Sequence, residues 1–311
     1  MQTFLPFPDF TKSAEVLDSP RLGKQRVETL QVLRALELSE YGWANHPAVR
    51  MWRGFTPGLV AYGLATVHEW RRRGHADSTA AQIVEFAPEQ QTQHELAALG
   101  QLPSWLGDER LHLSHRSALV RKDPERYRPL FGDIDDSLEY WWPAGSDAAP
   151  RAVEGLPMWV LRAGSAEVHD HLLASAHIGL GSHSGVDVDA EDADLADLLD
   201  LLAERSPGRR PGKDLRQLHA FVQEVSPGDL VGLLHPGERE LTVGTVTGHY
   251  SFDRGRTPDP DHPRHRRAVR WSAILPRSAV RPPASLQDPR RLFAVVIDPA
   301  ALPADSSVTA W

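Results

Sequence analysis

The residues best suited to chemistry lie near the start of the chain, in Pro20-Arg21-Leu22-Gly23-Lys24-Gln25-Arg26-Val27-Glu28. On a helix, Arg21, Lys24 and Glu28 are three and four apart and share a face, and Gln25 flanks it. Cations hold phosphates, while a carboxylate stabilises an oxocarbenium-like sugar or directs an attacking group. Excision of a base needs that combination. The same spacing also describes a solvated helix face with ordinary ion pairs.

A second cluster is Asn45-His46-Pro47 with Arg50, Trp52 and Arg53; a third is His112, His115, Arg116, Arg121 and Lys122. His112 and His115 have the i, i+3 spacing of a metal pair. No matching carboxylate or third histidine is placed nearby in sequence to complete a site, so a polar helix face is expected and no metal or cofactor. His169 and His171 are equally weak as ligands. Further on, aromatic residues mingle with arginines: Trp159, then His249-Tyr250-Ser251-Phe252, six arginines from Arg254 to Arg270, and Trp271. Aromatic faces stack on bases and guanidinium groups contact phosphate. Trp159 and Trp271 read equally well as core; Tyr250 and Phe252, alternating beside a loop, are the better pocket candidates. There is no glycine-rich phosphate loop, nucleophile-elbow serine or paired zinc motif.

The elements that must position these residues fall into two halves, as 311 residues imply. Residues 143–157, PAGSDAAPRAVEGLP, have no apolar period and predict a linker (144–157) between domains at 1–143 and 158–300. In the first half, Pro20 opens a helix carrying Val27, Leu30, Leu33 and Ala35 that ends near Leu38. A second helix is expected from Gly58 to Arg73, stopped by Gly74, a third over 109–122 and a fourth from Pro124. No alternating strand precedes residue 150. The second half holds short strand-like runs at Met158–Arg162, Ile178–Leu180, Leu230–Leu234, Thr242–Thr247, Ala268–Ala273 and Leu292–Ile297. An acidic amphipathic helix over 187–204, a basic stretch from Arg205 to Arg216 and a helix at Leu215–Val225 interrupt them. The expected class is α+β: an all-helical domain, then a small open β-barrel with inserted helices.

Composition narrows the field. Hydrophobic residues make up 41% and charged residues 24%, enough for a core in each half. With no cysteine, disulfide scaffolds, iron–sulfur clusters and thiol nucleophiles are excluded. No run of about 18 apolar residues exists, and MQTFLPFPDF lacks the basic and apolar regions of a signal peptide, so a cytoplasmic protein without membrane partners is expected. The net charge is −8; residues 1–143 carry 16 basic against 19 acidic residues, so any DNA site must be a local patch. Only Lys12, Lys24, Lys122 and Lys213 could supply a Schiff-base lysine.

The first half resembles the pyrimidine-dimer DNA glycosylase (endonuclease V-like) family. The resemblance is carried by Arg21-Leu22-Gly23-Lys24-Gln25-Arg26 with Glu28, by Asn45-His46-Pro47, and by Pro57, Leu59 and Ala61-Tyr62-Gly63 with Glu69 and Arg71-Arg72-Arg73-Gly74. It continues through His115-Arg116-Ser117, Arg121-Lys122-Asp123-Pro124 and Tyr127, in family order. It implies an all-helical fold that everts a nucleotide from double-stranded DNA and cleaves its glycosidic bond. The family's phage member uses an N-terminal α-amine as nucleophile, assisted by a glutamate directly after an arginine. Here Arg26 is followed by Val27 and then Glu28, with Gln25 on its other side. Gln2 is too bulky for ordinary removal of Met1, so three nucleophiles stay open: the Met1 amine, Lys24, or water in a monofunctional enzyme. The implied catalytic set is Glu28, Lys24, Arg26, Gln25 and Met1; the implied DNA contacts are Arg21, His46, Arg50, Arg53, His115, Arg116, Arg121 and Lys122.

The second half resembles PUA-like modules of the EVE type. The carriers are Met158-Trp159-Val160-Leu161-Arg162, Ile178-Gly179-Leu180-Gly181, Gly228-Asp229-Leu230-Val231, Val243-Gly244-Thr245-Val246 with Tyr250, and Val269-Arg270-Trp271. Such modules accept a flipped, often modified base, which would make Trp159, Tyr250, Phe252 and Trp271 base-binding. Together the halves suggest a glycosylase for a modified base, for instance glucosylated hydroxymethylcytosine in phage DNA, acting in phage defence. A dimer-repair glycosylase with AP lyase activity and a non-catalytic modified-DNA reader are the alternatives. Oligomeric state stays open.

Overall fold

The computed structural model describes residues 1–39, 41–146, 153–181, 188–205, 213–234, 237, 239–255 and 263–303. The chain divides into two compact units, residues 1–152 and 153–311. Six positions of the expected linker (147–152), residues 206–212 of the expected basic stretch and Arg256 lie outside the described residues. Among the described residues no helix is long and apolar enough to cross a membrane.

The first unit is helical: α1 (Phe10–Val16), α2 (Ser19–Glu37), α3 (Pro47–Arg50), α4 (Thr56–Arg72), α5 (Ala80–Val84), α6 (Gln93–Ala98), α7 (Glu109–Lys122) and α8 (Pro124–Phe131). Each main helix starts where its sequence permits. Asp18 caps α2 by accepting from the Arg21 N–H, with Pro20 in the first turn, and Asp108 caps α7. On α2 the buried residues Leu22, Gln25, Thr29, Leu30 and Leu33 recur at three- and four-residue steps, and this stripe faces α4. The crossing is close at Gly63, where a Cβ would come within 2.7 Å of the Thr29 methyl. Residues 1–9 form no helix, yet Gln2 to Pro6 are buried. This extended segment runs through the unit as part of its core, with Trp52 donating to the Thr3 hydroxyl (3.0 Å).

The second unit holds β1 (Leu156–Arg162), α9 (Ala166–Ala174), β2 (His177–Leu180), α10 (Leu195–Arg205), α11 (Lys213–Gln223), β3 (Leu230–Leu234), β4 (Glu240–Val246), β5 (Ser251–Phe252), β6 (His265–Pro276) and β7 (Leu292–Ile297). The strands form one mixed sheet in the order β2-β6-β4-β3-β1-β7, with β5 on β6. β1 and β3 are parallel, so a crossover must join them, and α9 to α11 lie within it. The sheet is open, with no ladder joining its outer strands β2 and β7 among the described residues, in place of the expected barrel. Both faces are covered: Val231 and Leu233 of β3 join one apolar cluster with α11, Leu230 and Leu234 another with β7.

Three expectations shift. Within the stretch expected as a linker, the Ser146 N–H bonds the Arg53 carbonyl (2.9 Å) and β1 already begins at Leu156. The acidic helix starts at Leu195 because Asp194 accepts from the N–H groups of Ala196 and Asp197. Helix α9, capped by Ser165, was not anticipated; it carries His169 and His171.

Candidate active site

In the first unit the site grows from one face of α2. Gln25 and Glu28 are one turn apart and both turn toward the N-terminal segment, while Val27 lies on the exposed side. The Glu28 Oε2 accepts from the Gln2 N–H (3.1 Å) and from the Gln25 amide (3.2 Å). Gln25 is itself pinned: its Oε1 accepts from the Phe4 N–H (2.7 Å) and from the Tyr62 hydroxyl (2.6 Å). Burial, with the Glu28 charge adding to it, raises the Tyr62 pKa well above that of a free phenol. Tyr62 therefore stays a donor, and the chain Tyr62–Gln25–Glu28 fixes the carboxylate's orientation.

Two further groups interact with that carboxylate. His46, the cap of α3, accepts from the Ala48 N–H on Nδ1 (3.1 Å), which leaves the ring proton on Nε2. Burial and the N-terminal ammonium depress its pKa, against the pull of Glu28, so the imidazole is neutral near pH 7. Tyr140 hydrogen-bonds the Gln2 side chain; burial raises its pKa, and its hydroxyl feels the charges of Arg121, Glu28 and Arg21. Rings continue around the rim: Trp142 lies 5.4 Å from Tyr140 and 6.1 Å from His46, and Trp43 lies 5.8 Å from His46. The arrangement can hold a carboxylate against developing positive charge, offer an Nε2–H to a leaving group, and line a slot with aromatic faces.

The proposed residues do not all converge. Glu28, Gln25, His46 and the Met1–Gln2 segment do. Arg26 faces elsewhere: it pairs with Asp77 (2.5 Å) and lies over the Trp70 ring (4.7 Å). Lys24 is exposed and has no ion-pair partner among the described residues. Arg21 bonds Asp18, and although burial opposes it, that bonding keeps the Asp18 carboxyl below its ordinary range. Arg50, Arg53, Arg121 and Lys122 are exposed; Arg53 donates to the Ala44 carbonyl, and Arg121 to those of Asp136 and Leu138.

Two expected DNA contacts point inward instead. Arg116 is mostly covered and pairs with Glu109. His115 is fully buried, and its Nδ1 accepts from the Leu5 N–H (2.9 Å). One turn earlier, the His112 Nδ1 donates to the Leu5 carbonyl (2.7 Å) and its Nε2 accepts from the Gly107 N–H (3.1 Å). The His-x-x-His pair thus clamps both backbone polar groups of Leu5. Burial pushes the His115 pKa down to about 3 and lowers that of His112. Among the described residues no group of three His, Asp or Glu gathers to hold a metal. Sequence reasoning missed Gln2, Tyr62, Trp43, Tyr140 and Trp142; the aromatic run before the linker was the available signal for the last two.

In the second unit, Trp159, Val231, Gly244 and Trp271 are register partners in one row across β1, β3, β4 and β6. A bulge between Val243 and Gly244 lets the backbone approach Arg270 there. Both tryptophans are half-buried against the apolar cluster under α11. Trp159 hydrogen-bonds Asp229, whose pKa burial raises. The Trp271 Nε1 is buried with no acceptor among the described residues. Tyr250 is interior rather than a pocket wall: its hydroxyl accepts from the Ala190 N–H (3.2 Å) and meets the His265 Nδ1 (2.8 Å), and burial lifts its pKa to about 12. Phe252 lies under Arg264 (4.4 Å). Arg267, also buried, donates to the Phe221 and Val222 carbonyls of α11.

Residues 1–83 match the family model described as pyrimidine dimer DNA glycosylase. Residues 158–285 match one described as a domain of unknown function (DUF8426). No curated protein matches the chain. The first match supports a DNA glycosylase-type function and DNA as the substrate; it spans α1 to α4, and so includes Glu28, Gln25 and His46.

Proposed function

We propose that the helical unit is a DNA glycosylase whose working carboxylate is Glu28 and whose target is a modified base everted from duplex DNA. The observation that carries this is the Glu28 carboxylate, oriented by the Gln2 N–H and the Gln25 amide between a neutral imidazole and a ring of aromatic side chains. As the glycosidic bond breaks, its electron pair leaves with the base, toward which the His46 Nε2–H donates. Glu28 stabilises the positive charge growing at C1′. The nucleophile that then adds to C1′ is the α-amine of Met1, one peptide unit from the Glu28 contact, or a water directed by Glu28. Lys24, exposed on the helix, is the weaker choice. Borohydride trapping with peptide mapping distinguishes them: label on residue 1 marks the amine, label on Lys24 reverses this preference, and base release without label marks water.

In this reading the second unit supplies recognition in the manner of a PUA-like module, through Trp159 and Trp271, and the target is a hypermodified cytosine such as glucosylated hydroxymethylcytosine of phage DNA. A second reading, favoured by the family that residues 1–83 match, is repair of ultraviolet pyrimidine dimers. The deciding experiment measures base release and alkali-labile sites on unmodified, ultraviolet-irradiated, methylated, hydroxymethylated and glucosylated duplexes. Release from the modified-cytosine duplexes alone supports the first reading, and breaks after irradiation alone support repair. Binding without release from any of them makes the protein a reader.

A further inference from the structure

Trp43 differs in its exposure from the other rings of the His46 cluster. His46, Tyr140 and Trp142 are half-buried and can wall a slot, whereas the Trp43 side chain is 66% exposed. Its backbone adopts φ 77°, a left-handed conformation that bulky side chains avoid. The loop is nonetheless pinned on the far side of this residue: the His46 N–H bonds the Trp43 carbonyl (2.8 Å), and the Arg53 guanidinium bonds the Ala44 carbonyl (3.2 Å). The indole meets the His46 ring edge to face at 5.8 Å, which fixes its distance from the site. A large apolar ring two-thirds exposed on a strained backbone buries little surface for the fold beyond its edge on His46, and such strain collects at functional positions. Arg50 and Arg53, exposed on the same stretch of chain, supply charge for phosphates. The indole offers what they lack, an apolar plane the size of a base pair's half.

We propose that Trp43 enters the DNA base stack at the place vacated by the nucleotide drawn toward Glu28. The proposal rests on the reading of this unit as one that everts a nucleotide. Insertion of an apolar side chain between base steps is an established way to hold an unstacked duplex open, and base–aromatic stacking contributes tenfold or more to affinity.

The test uses the full-length protein and a duplex holding a stable tetrahydrofuran abasic analogue, with 2-aminopurine beside the gap, against the same duplex intact. Trp43→Ala should weaken binding to the gapped duplex about tenfold while changing the intact duplex less than twofold, and should abolish the change in 2-aminopurine fluorescence. Trp43→Phe should keep part of both effects. Trp43→Gly, free of the left-handed strain, should melt at or above the wild-type temperature and still lose the gap preference, which separates this role from a structural one. Wild-type gap preference and fluorescence in Trp43→Ala would overturn the proposal, as would equal weakening on both duplexes. Gap preference that depends on Trp43, in a protein that releases no base from any duplex of the panel, would retire the glycosylase chemistry and leave insertion standing. Base release with Trp43-independent gap binding would do the reverse.

Discussion

Two side chains of α2 divide the work at the first site. In the proposed chemistry Glu28 faces the reacting position, and Gln25 behind it bonds Glu28, Phe4 and Tyr62. Replacing Glu28 by Gln removes the charge and keeps the shape, so single-turnover base release should fall at least a hundredfold with an unchanged melting temperature. A folded variant that still turns over at the wild-type rate would remove Glu28 from the chemistry. Gln25→Ala acts on the fold instead, leaving the Phe4 N–H without an acceptor and the Tyr62 hydroxyl with only the Phe4 carbonyl (3.0 Å). It should cost about 2–4 kcal/mol in denaturant unfolding. Tyr62→Phe should cost about 1 kcal/mol alone and less than that on top of Gln25→Ala, since one of the hydroxyl's two acceptors is then already gone. Part of this was legible beforehand. The helical spacing put Gln25 and Glu28 on one face, but which of Arg26, Val27 and Glu28 turned inward depended on where the N-terminal segment runs. That segment has no periodicity to read.

At the level of elements, the N-terminal segment is held against α7 by two imidazoles that must both be neutral. The His112 ring donates to the Leu5 carbonyl and the His115 ring accepts from the Leu5 N–H. A proton added to the His115 Nδ1 would destroy the acceptor. Its folded-state pKa, about 3, lies below the roughly 6.5 of an unfolded histidine. The native state therefore binds fewer protons between those values. The stability that His115 contributes is full above about pH 6.5 and is lost as pH falls toward 3, with a slope near 1.4 kcal/mol per pH unit, and His112, also depressed, adds in the same direction. Denaturant midpoints measured from pH 7.5 to 4.5 should fall along that slope, and His115→Asn should flatten it. A profile that is level from pH 7 to 5 would contradict the neutral clamp. The sequence showed an i, i+3 histidine pair on a helix and nothing of its partner. Backbone acceptors and donors carry no side-chain signature, which is why the backbone of Leu5 could not be foreseen as the partner while α7 itself, with Asp108 before it and Pro124 after, could.

Across the whole molecule, the two units carry complementary equipment. The first has the carboxylate, the neutral imidazole and exposed cations at Arg50, Arg53, Arg121 and Lys122. The second has the cross-sheet row of Trp159 and Trp271 and an indole N–H without an acceptor among the described residues. Strand positions in that unit were readable because β3 and β7 are short apolar runs between turn residues. Their pairing into an open sheet was not, because the parallel β1–β3 contact joins residues some seventy positions apart, and loop closure on that scale leaves no local trace. If chemistry and recognition are divided in this way, they should separate. A fragment of residues 1–152 holds complete apolar clusters of its own, among them Phe4, Leu17, Leu22, Leu119 and Tyr127. It should melt cooperatively and release base from a saturating substrate within about tenfold of the full chain's single-turnover rate, an effect smaller than about 1.4 kcal/mol. Its preference for the modified duplex over an unmodified competitor should collapse, and Trp271→Ala in the full chain should reproduce much of that collapse without slowing the saturated rate. Since one mismatched contact in a base pocket costs a few kcal/mol, the loss should be visible as a ten- to hundredfold change in competition. A fragment as selective as the full chain would place recognition in the helical unit, and Trp271 would then be a core residue.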